Sequence, residues 1–546
     1  MKGTVGEQRW YSGAACAVVV LGALLRLWGL DGGLPHLMTR PDEEIIVLQT
    51  RLPAEGQFDL EWPGAHPGIP SAYIFLLWAF GEVGLRVLQL AGSAPPGDYL
   101  AAVQFFPDRL LLTERFLSAM FGIGTIVALL WAARREVGER TALLAALLLA
   151  VATFHVRDSH SAKPDIALGF FVMLSLGLLA PLTRAVTKRG AVFAGLAIGL
   201  AMAMKPPGVL LMLPAWVAVI AGSDKESWRR VFPSEIFLLG TVATLVFVLT
   251  SPDFVFNTET AERIFSIVGL VFPQLVPGAE VPTGGADVGS FPGREASGGF
   301  VYHYLFSIRY GLGPVAMVVL PLALVWAAFS RNALLALAAL FSVVSFFVFG
   351  SSPALLSRYM APVFAPLALL VGAFVVAVVQ RLPRGAHMPG LALAAVVLVV
   401  EPLHASIAFD RLMAGRDTRN QATEWLAAHS VPGDRVALTG SVFWTWGDPQ
   451  VPRGRKAVRP TPDRHALAEA QADFLVTHDH PLFSSTTDPA AIAALGDGWR
   501  LVAEFDPFPS GTEGVVFEGQ DAFYVPTRGA ERVTATGPII RIYATR

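Results

Sequence analysis

Two short charged stretches interrupt an otherwise apolar chain, and each carries side chains capable of proton transfer. The first is Arg40-Pro41-Asp42-Glu43-Glu44, followed by the apolar run IIVLQTRL. Acids at a helix start have an ordinary role: Asp42 suits an N-cap, and Glu43 and Glu44 suit the positive end of the helix dipole. A carboxylate at a membrane rim can equally take the proton of a hydroxyl, so Asp42, with Glu43 beside it, is a candidate general base. The second stretch, HVRDSHSAKPD, sets Arg157, Asp158, His160, Lys163 and Asp165 within nine positions between two apolar runs. Pro164 suits the first position of the next helix, which places Asp165 in its first turn. An ionisable group there costs about 2.5–3.5 kcal/mol on insertion scales, which makes it a functional candidate by default.

Cations and rings complete the candidate set. Lys205 ends GLAIGLAMAMK, and Arg358 and Tyr359 lie in SRYMAPVF at the start of a further apolar run. Such cations often only snorkel to the interface, yet they also suit a phosphate leaving group, where positive charge must already be in place as the anion develops. Arg157 and His160 join them as candidates for holding a donor phosphate or sugar. Arg109, Glu114 and Arg115 form another charged set at a helix start. Trp62, Tyr302 and Tyr304 fit an interfacial aromatic belt as well as sugar stacking. His155, His160 and the pair His478/His480 match no zinc spacing, and no phosphate-binding loop or hydrolase elbow occurs in a suitable context. No cofactor and no metal site are therefore expected; nucleic acid is not an expected partner.

The elements that must position these residues are set by composition. Of 546 residues 53% are hydrophobic and 15% charged, with a net charge of −2, which excludes a disordered chain and a basic nucleic-acid binder. From Asp410 onward lie 31 of the 84 charged residues, so a membrane body is followed by a water-soluble tail. Apolar runs at about 11–30, 109–133, 141–156, 164–182, 190–204, 206–222, 235–251, 312–329, 333–350, 359–380 and 389–404 predict about eleven spans. Residues 71–91 are apolar enough to cross as well, but Glu82, Arg86 and Gln89 share one helical face. Left as an amphipathic surface helix, that segment lets Arg134/Arg135/Arg140, Arg184/Lys188/Arg189, Lys225/Arg229/Arg230, Arg331 and Arg381/Arg384 all fall on the N-terminal side, the positive-inside pattern. The N-terminus is then cytoplasmic. Loops 31–70 and 157–165, the Gly/Pro-rich stretch 252–299 with the character of a lid, and the tail then face outward. The expected domains are 1–408, membrane-embedded, and 409–546, a small α/β domain with a helix near 418–428 and strands near 435–439, 473–477, 501–505 and 539–543.

Taken in order, RPDEE, PGIPSAYIFLLWAFGEVGLRVLQL, RDSHSAKPDIALGFF, GLAIGLAMAMKPPG, SRYMAPVFAPLALL and DTRNQATEWLAAHSVPGDRV resemble the membrane-embedded GT-C glycosyltransferases. The likeness is to the protein O-mannosyltransferase family, glycosyltransferase family 39, and to its aminoarabinose-transferase relatives. The resemblance implies a GT-C-like helical body that moves a sugar from a polyprenyl-phosphate carrier to an acceptor hydroxyl on the outer face, with inversion. It implies that Asp42 is the base, that Asp158 or Asp165 is the second site acid, and that Lys205 and Arg358 meet the phosphate. The β-trefoil module of eukaryotic protein mannosyltransferases has no counterpart here, so the acceptor is a protein, lipid or glycan. A bacterial plasma membrane is the expected location. The competing functions are a lipid-linked sugar flippase, which would place a site near the bilayer midplane between paired broken helices, and an oligosaccharyltransferase using a pyrophosphate donor and a divalent metal.

Overall fold

A computed structural model describes residues 5–57, 69–223, 233–251, 253, 299–352, 355–439, 444–461, 463–481, 486–495, 498–518 and 524–545. The expected lid at 252–299, Trp62 and the basic turn Lys225/Arg229/Arg230 lie almost wholly outside them. The chain forms two compact units: residues 1–27, 45–105 and 113–406, and residues 28–44, 106–112 and 407–546.

The first unit is helical. Its helices include α1 (Val5–Leu27), α2 (Glu43–Gln49, whose first two residues belong to the other unit), α3 (Ser71–Leu90), α4 (Pro107–Glu136, largely here), α5 (Glu139–Ala150), α6 (Thr153–Ser159), α7 (Asp165–Leu179) and α8 (Lys188–Met204). There follow α9 (Met212–Gly222), α10 (Ser234–Thr250), α11 (Pro314–Phe329), α12 (Ala333–Gly350), α13 (Phe364–Val379) and α14 (His387–Met413). Among the described residues seven helices are long and apolar enough to cross a membrane, or nine if two bent pairs each count as one span. This is an integral multi-pass membrane protein. The expected eleven exceeds that number because α8, Pro206–Gly222 and α10 have 17 residues each, about 26 Å of helix against a hydrocarbon core of about 30 Å. The seven include α3 by length and composition. It buries Tyr73, Ile74, Leu77 and Leu85 and exposes Val83, Val87 and Leu90, so an apolar stripe runs one position beyond Glu82, Arg86 and Gln89.

Broken helices inside an apolar body leave carbonyls without intrahelical partners, and these must be met by side chains. Between α5 and α6 the chain bends by 61°. Arg26 of α1, fully buried, donates to the carbonyls of Leu149 (3.1 Å) and Ala150 (3.0 Å), and Ser406 donates to that of Val151 at 3.0 Å. The same guanidinium lies 2.9 Å from Nδ1 of His155, which therefore accepts, leaving the ring proton on Nε2. The second bend, 117° between Gly299–Leu312 and α11, turns on Gly313 at φ +93°, a conformation that only glycine adopts at no steric cost.

In the second unit a five-stranded mixed sheet has the order β2-β1-β3-β5-β4: β1 (Arg435–Leu438), β2 (Lys456–Val458), β3 (Phe474–Asp479), β4 (Trp499–Phe505) and β5 (Ile539–Thr545). β1 pairs in parallel with β2 and β3, and β5 runs antiparallel to β3 and β4. Alternation separates two faces: Val436, Leu438 and Val476 pack with Ala422 and Leu426 of α15 (Thr418–His429), while Ala437 and Leu475 pack with Leu467 and Leu495. The expected small α/β domain is present; β2, three residues long and mostly exposed, is the strand its composition did not announce.

Candidate active site

Within the helical unit the charged turn after α5 becomes α6 and a tight connection into α7. Arg157 is buried and lies over the Phe154 ring at 4.1 Å from its centroid. Its Nε donates to Asp158 Oδ1 (2.7 Å) and its Nη2 to the hydroxyl of Ser357 (2.8 Å). Asp165, 3% exposed at the start of α7, accepts from Lys205 Nζ at 2.6 Å. Lys205 sits where α8 ends in an extended residue before Pro206, and its ammonium lies 5.2 Å from the Tyr359 ring centroid. Ser357 and Tyr359 belong to one 3-10 turn, Ser357–Val363, with half-buried Arg358 between them. Four of the charged candidates, Arg157, Asp158, Asp165 and Lys205, are thus drawn together on that turn. Ser357 was missed from sequence, although it heads the SRYMAPVF motif; a serine carries no charge signal of its own.

Both acids here are ion-paired. Lys205, expected at a donor phosphate, spends part of its charge on Asp165. His160 is fully buried and donates Nδ1–H to the carbonyl of Val156 at 2.9 Å, which closes a helical turn. Glu114 and Arg115 are fully buried in α4. Tyr304 donates to the Met317 carbonyl at 3.1 Å, and Tyr302 stacks on Phe306, so both serve helix packing.

The other unit holds the first acidic stretch. Its loop leaves α1 through Gly29, at φ +75°, where a Cβ would come within 2.8 Å of the Ala414 backbone nitrogen. Arg40 is buried over the Phe409 ring at 5.4 Å. Asp42 precedes α2 with φ +73°, in the left-handed region, whereas an ordinary N-cap is extended. A non-glycine residue held there costs of order 1 kcal/mol or more, and such strain concentrates where a side chain is being aimed. Glu43 is fully buried. Burial raises the Glu44 carboxyl to about 7, although the indole N–H of Trp446 donates to its Oε1 at 3.2 Å.

Around this loop the tail supplies a buried polar network. Arg419 is 1% exposed and forks onto Asp417, Nε to Oδ1 at 2.8 Å and Nη2 to Oδ2 at 2.7 Å. Burial opposes the charge of Asp417, but Arg419 outweighs it and holds the carboxyl below its usual range. His36 donates to the Asp448 carbonyl at 2.9 Å; burial, reinforced by the charge of Arg419, lowers its ring to about 4. Burial likewise pushes Asp448 up to about 6, against Arg459, and His480 down to about 3. Among the described residues no three His, Cys, Asp or Glu side chains gather as a metal site would require.

Comparison with known proteins follows the same lines. Residues 108–256, which include Arg157, Asp158, His160, Asp165 and Lys205, match the family model described as dolichyl-phosphate-mannose-protein mannosyltransferase. No curated protein matches the chain. The oligosaccharyltransferase of Archaeoglobus fulgidus in its apo form is similar in structure, with TM-score 0.55 and 11% identity over 100% of this chain and 89% of that one. So is ArnT from Cupriavidus metallidurans in the apo state, with TM-score 0.50 and 14% identity over 98% of each chain. AglB from Archaeoglobus fulgidus, in complex with an inhibitory peptide and a dolichol-phosphate, gives TM-score 0.51 and 11% identity over 99% of this chain and 89% of that one. The fold is the GT-C fold, and the resemblance drawn from the ordered motifs is borne out.

Proposed function

We propose that this protein is a GT-C glycosyltransferase that takes a sugar from a polyprenyl-phosphate carrier and transfers it to a hydroxyl of a protein, lipid or glycan acceptor. The observation that carries the proposal is the set of two ion pairs, Arg157–Asp158 and Lys205–Asp165, inside a largely apolar helical body and within the stretch matching the mannosyltransferase family model. Ionisable groups there are costly and mark a functional site by default.

In the proposed reaction Asp42 accepts the proton of the acceptor hydroxyl as its oxygen bonds to the sugar's anomeric carbon. The bond from that carbon to the phosphate oxygen breaks on the opposite face, its electron pair leaves with the phosphate, and the configuration inverts. General-base assistance of this kind is worth typically 10²–10⁴-fold. A phosphate leaves readily, so fixed cations replace a general acid; Arg157, Lys205 and Arg358 take that role, with His160 and Tyr359 shaping the donor side. Asp165 and Asp158 hold those cations rather than removing protons. In this proposal chelators leave the rate unchanged. The N-terminus is cytoplasmic, the reaction occurs on the outer face, and a bacterial plasma membrane is the setting.

The test is release of polyprenyl phosphate from a panel of polyprenyl-monophosphate sugars by the purified protein in lipid, with an acceptor extract, comparing wild type and Asp42→Asn. Release by wild type alone supports the donor class and the base. Equal release by both removes Asp42 from the chemistry. No release from any donor by folded protein overturns the transferase proposal in favour of a flippase or a pyrophosphate donor.

A further inference from the structure

The motif DTRNQ at the head of α15 has no part in the chemistry proposed above, yet it holds the most completely bonded buried cation among the described residues of its unit. Arg419 Nη1 donates to the carbonyls of Met38 (3.0 Å) and Trp446 (2.7 Å), and the guanidinium lies over the Tyr524 ring. Asn420, one residue on, donates through Nδ2 to the carbonyls of Gly33 (2.9 Å) and Leu34 (3.1 Å). Trp446, whose carbonyl Arg419 holds, itself donates to Glu44. The acid-bearing loop is thereby gripped on both sides of Asp42: at 33, 34 and 38 before it and at 44 after it.

We infer that Asp417, Arg419, Asn420 and Trp446 are positioning residues that set the posture of Asp42, an inference that rests on the proposed base. Two features of the contacts fit that task. First, Arg419 and Asn420 bond backbone carbonyls of the loop, which fixes the chain without pairing with the acid itself. Second, the positive charge of Arg419 is balanced by Asp417, which Thr536 also supports with a 2.7 Å hydrogen bond. The grip is therefore close to neutral, and the left-handed backbone at Asp42 has the over-determined surroundings that such strain requires.

The experiment uses the full-length protein in lipid with Asn420→Ala, whose side chain is half-buried, and Arg419→Lys as the stronger variant. Amide exchange is measured over residues 31–44 and over the sheet, together with turnover and KM for the polyprenyl-phosphate sugar. The expected result is faster exchange confined to 31–44 and turnover lowered about tenfold for Asn420→Ala with KM within twofold, since small misplacements of a reacting group can cost up to about 100-fold. In an Asp42→Asn background Asn420→Ala should cause no further loss, because residues acting through one group are not additive. Unchanged exchange, exchange raised equally across the sheet, unchanged turnover, or a further loss in the Asp42→Asn background would each overturn the inference. Should wild type release no polyprenyl phosphate, the proposed function fails and with it the link to Asp42, while exchange over 31–44 still decides whether the grip exists.

Discussion

The helical unit and the tail-bearing unit handle buried charge in opposite ways. In the helical unit Asp158 meets its chain neighbour Arg157 and Asp165 meets Lys205 from another segment, and the cations reach onward to Ser357 and Tyr359. In the other unit the buried pair Asp417–Arg419 is internal to the tail, and Arg419 and Asn420 also donate to carbonyls of the acidic loop. The contrast follows from what each place has to do. Among apolar helices an unbalanced charge is too costly, so cations and acids come as matched sets. In the tail-bearing unit Arg419 and Asn420 hold the acidic loop by its backbone carbonyls.

The comparison can be broken most directly at Asp42. Asp42→Asn should lower sugar transfer about 10²–10⁴-fold, with little change in the thermal midpoint, as measured by polyprenyl-phosphate release. If instead the midpoint collapses and transfer by the folded fraction is normal, the two units do not divide their work as described. Lys205→Met should destabilise the protein by about 3 kcal/mol, because it strands Asp165 in its buried site. Adding Asp165→Asn should recover most of that loss in a denaturation series in detergent, and failure to recover would mean that the pair does not set the cost.

Glu44 sharpens the contrast through pH. Its folded pKa, raised by burial from the ordinary 4.5 to about 7, means that the folded state keeps a proton that the unfolded chain gives up. The associated stability is present below pH 4.5 and is lost as pH rises to about 7. Compared with Glu44→Gln, wild type should therefore lose stability across that window, on the order of 3 kcal/mol; parallel midpoint curves would refute the shift. The smallest effect is expected from Ser357→Ala, about 1 kcal/mol, because Arg157 keeps Asp158 and loses one neutral hydroxyl partner.

Much of this was legible in the residues themselves. Period-two runs marked four of the five strands within a few positions, and the helix expected near 418–428 matches α15, which Asp417 caps by accepting from the Arg419 backbone N–H. The charged turn 157–165 and the cations Lys205 and Arg358 stood out because ionisable residues among apolar runs are rare. What stayed hidden depended on distance along the chain. Lys205 and Asp165 are 40 positions apart, and Arg157 and Ser357 200, and no local pattern says which of several cations meets which acid. Arg26 carries no local sign of its duty at the α5–α6 break, where it donates to the carbonyls of 149 and 150, more than 120 positions away.

By itself the sequence determined a multi-pass helical body, a small α/β tail and a short roll of chemical candidates, because hydropathy, turn residues and charge are local quantities. The tertiary structure decided how those candidates are used. It put residues 28–44 in the same compact unit as the tail, gave Asp42 a left-handed backbone, and matched Asp158 to Arg157 and Asp165 to Lys205. The physical reason is that a buried polar group must find a partner wherever the packed chain supplies one, and that choice is made in three dimensions.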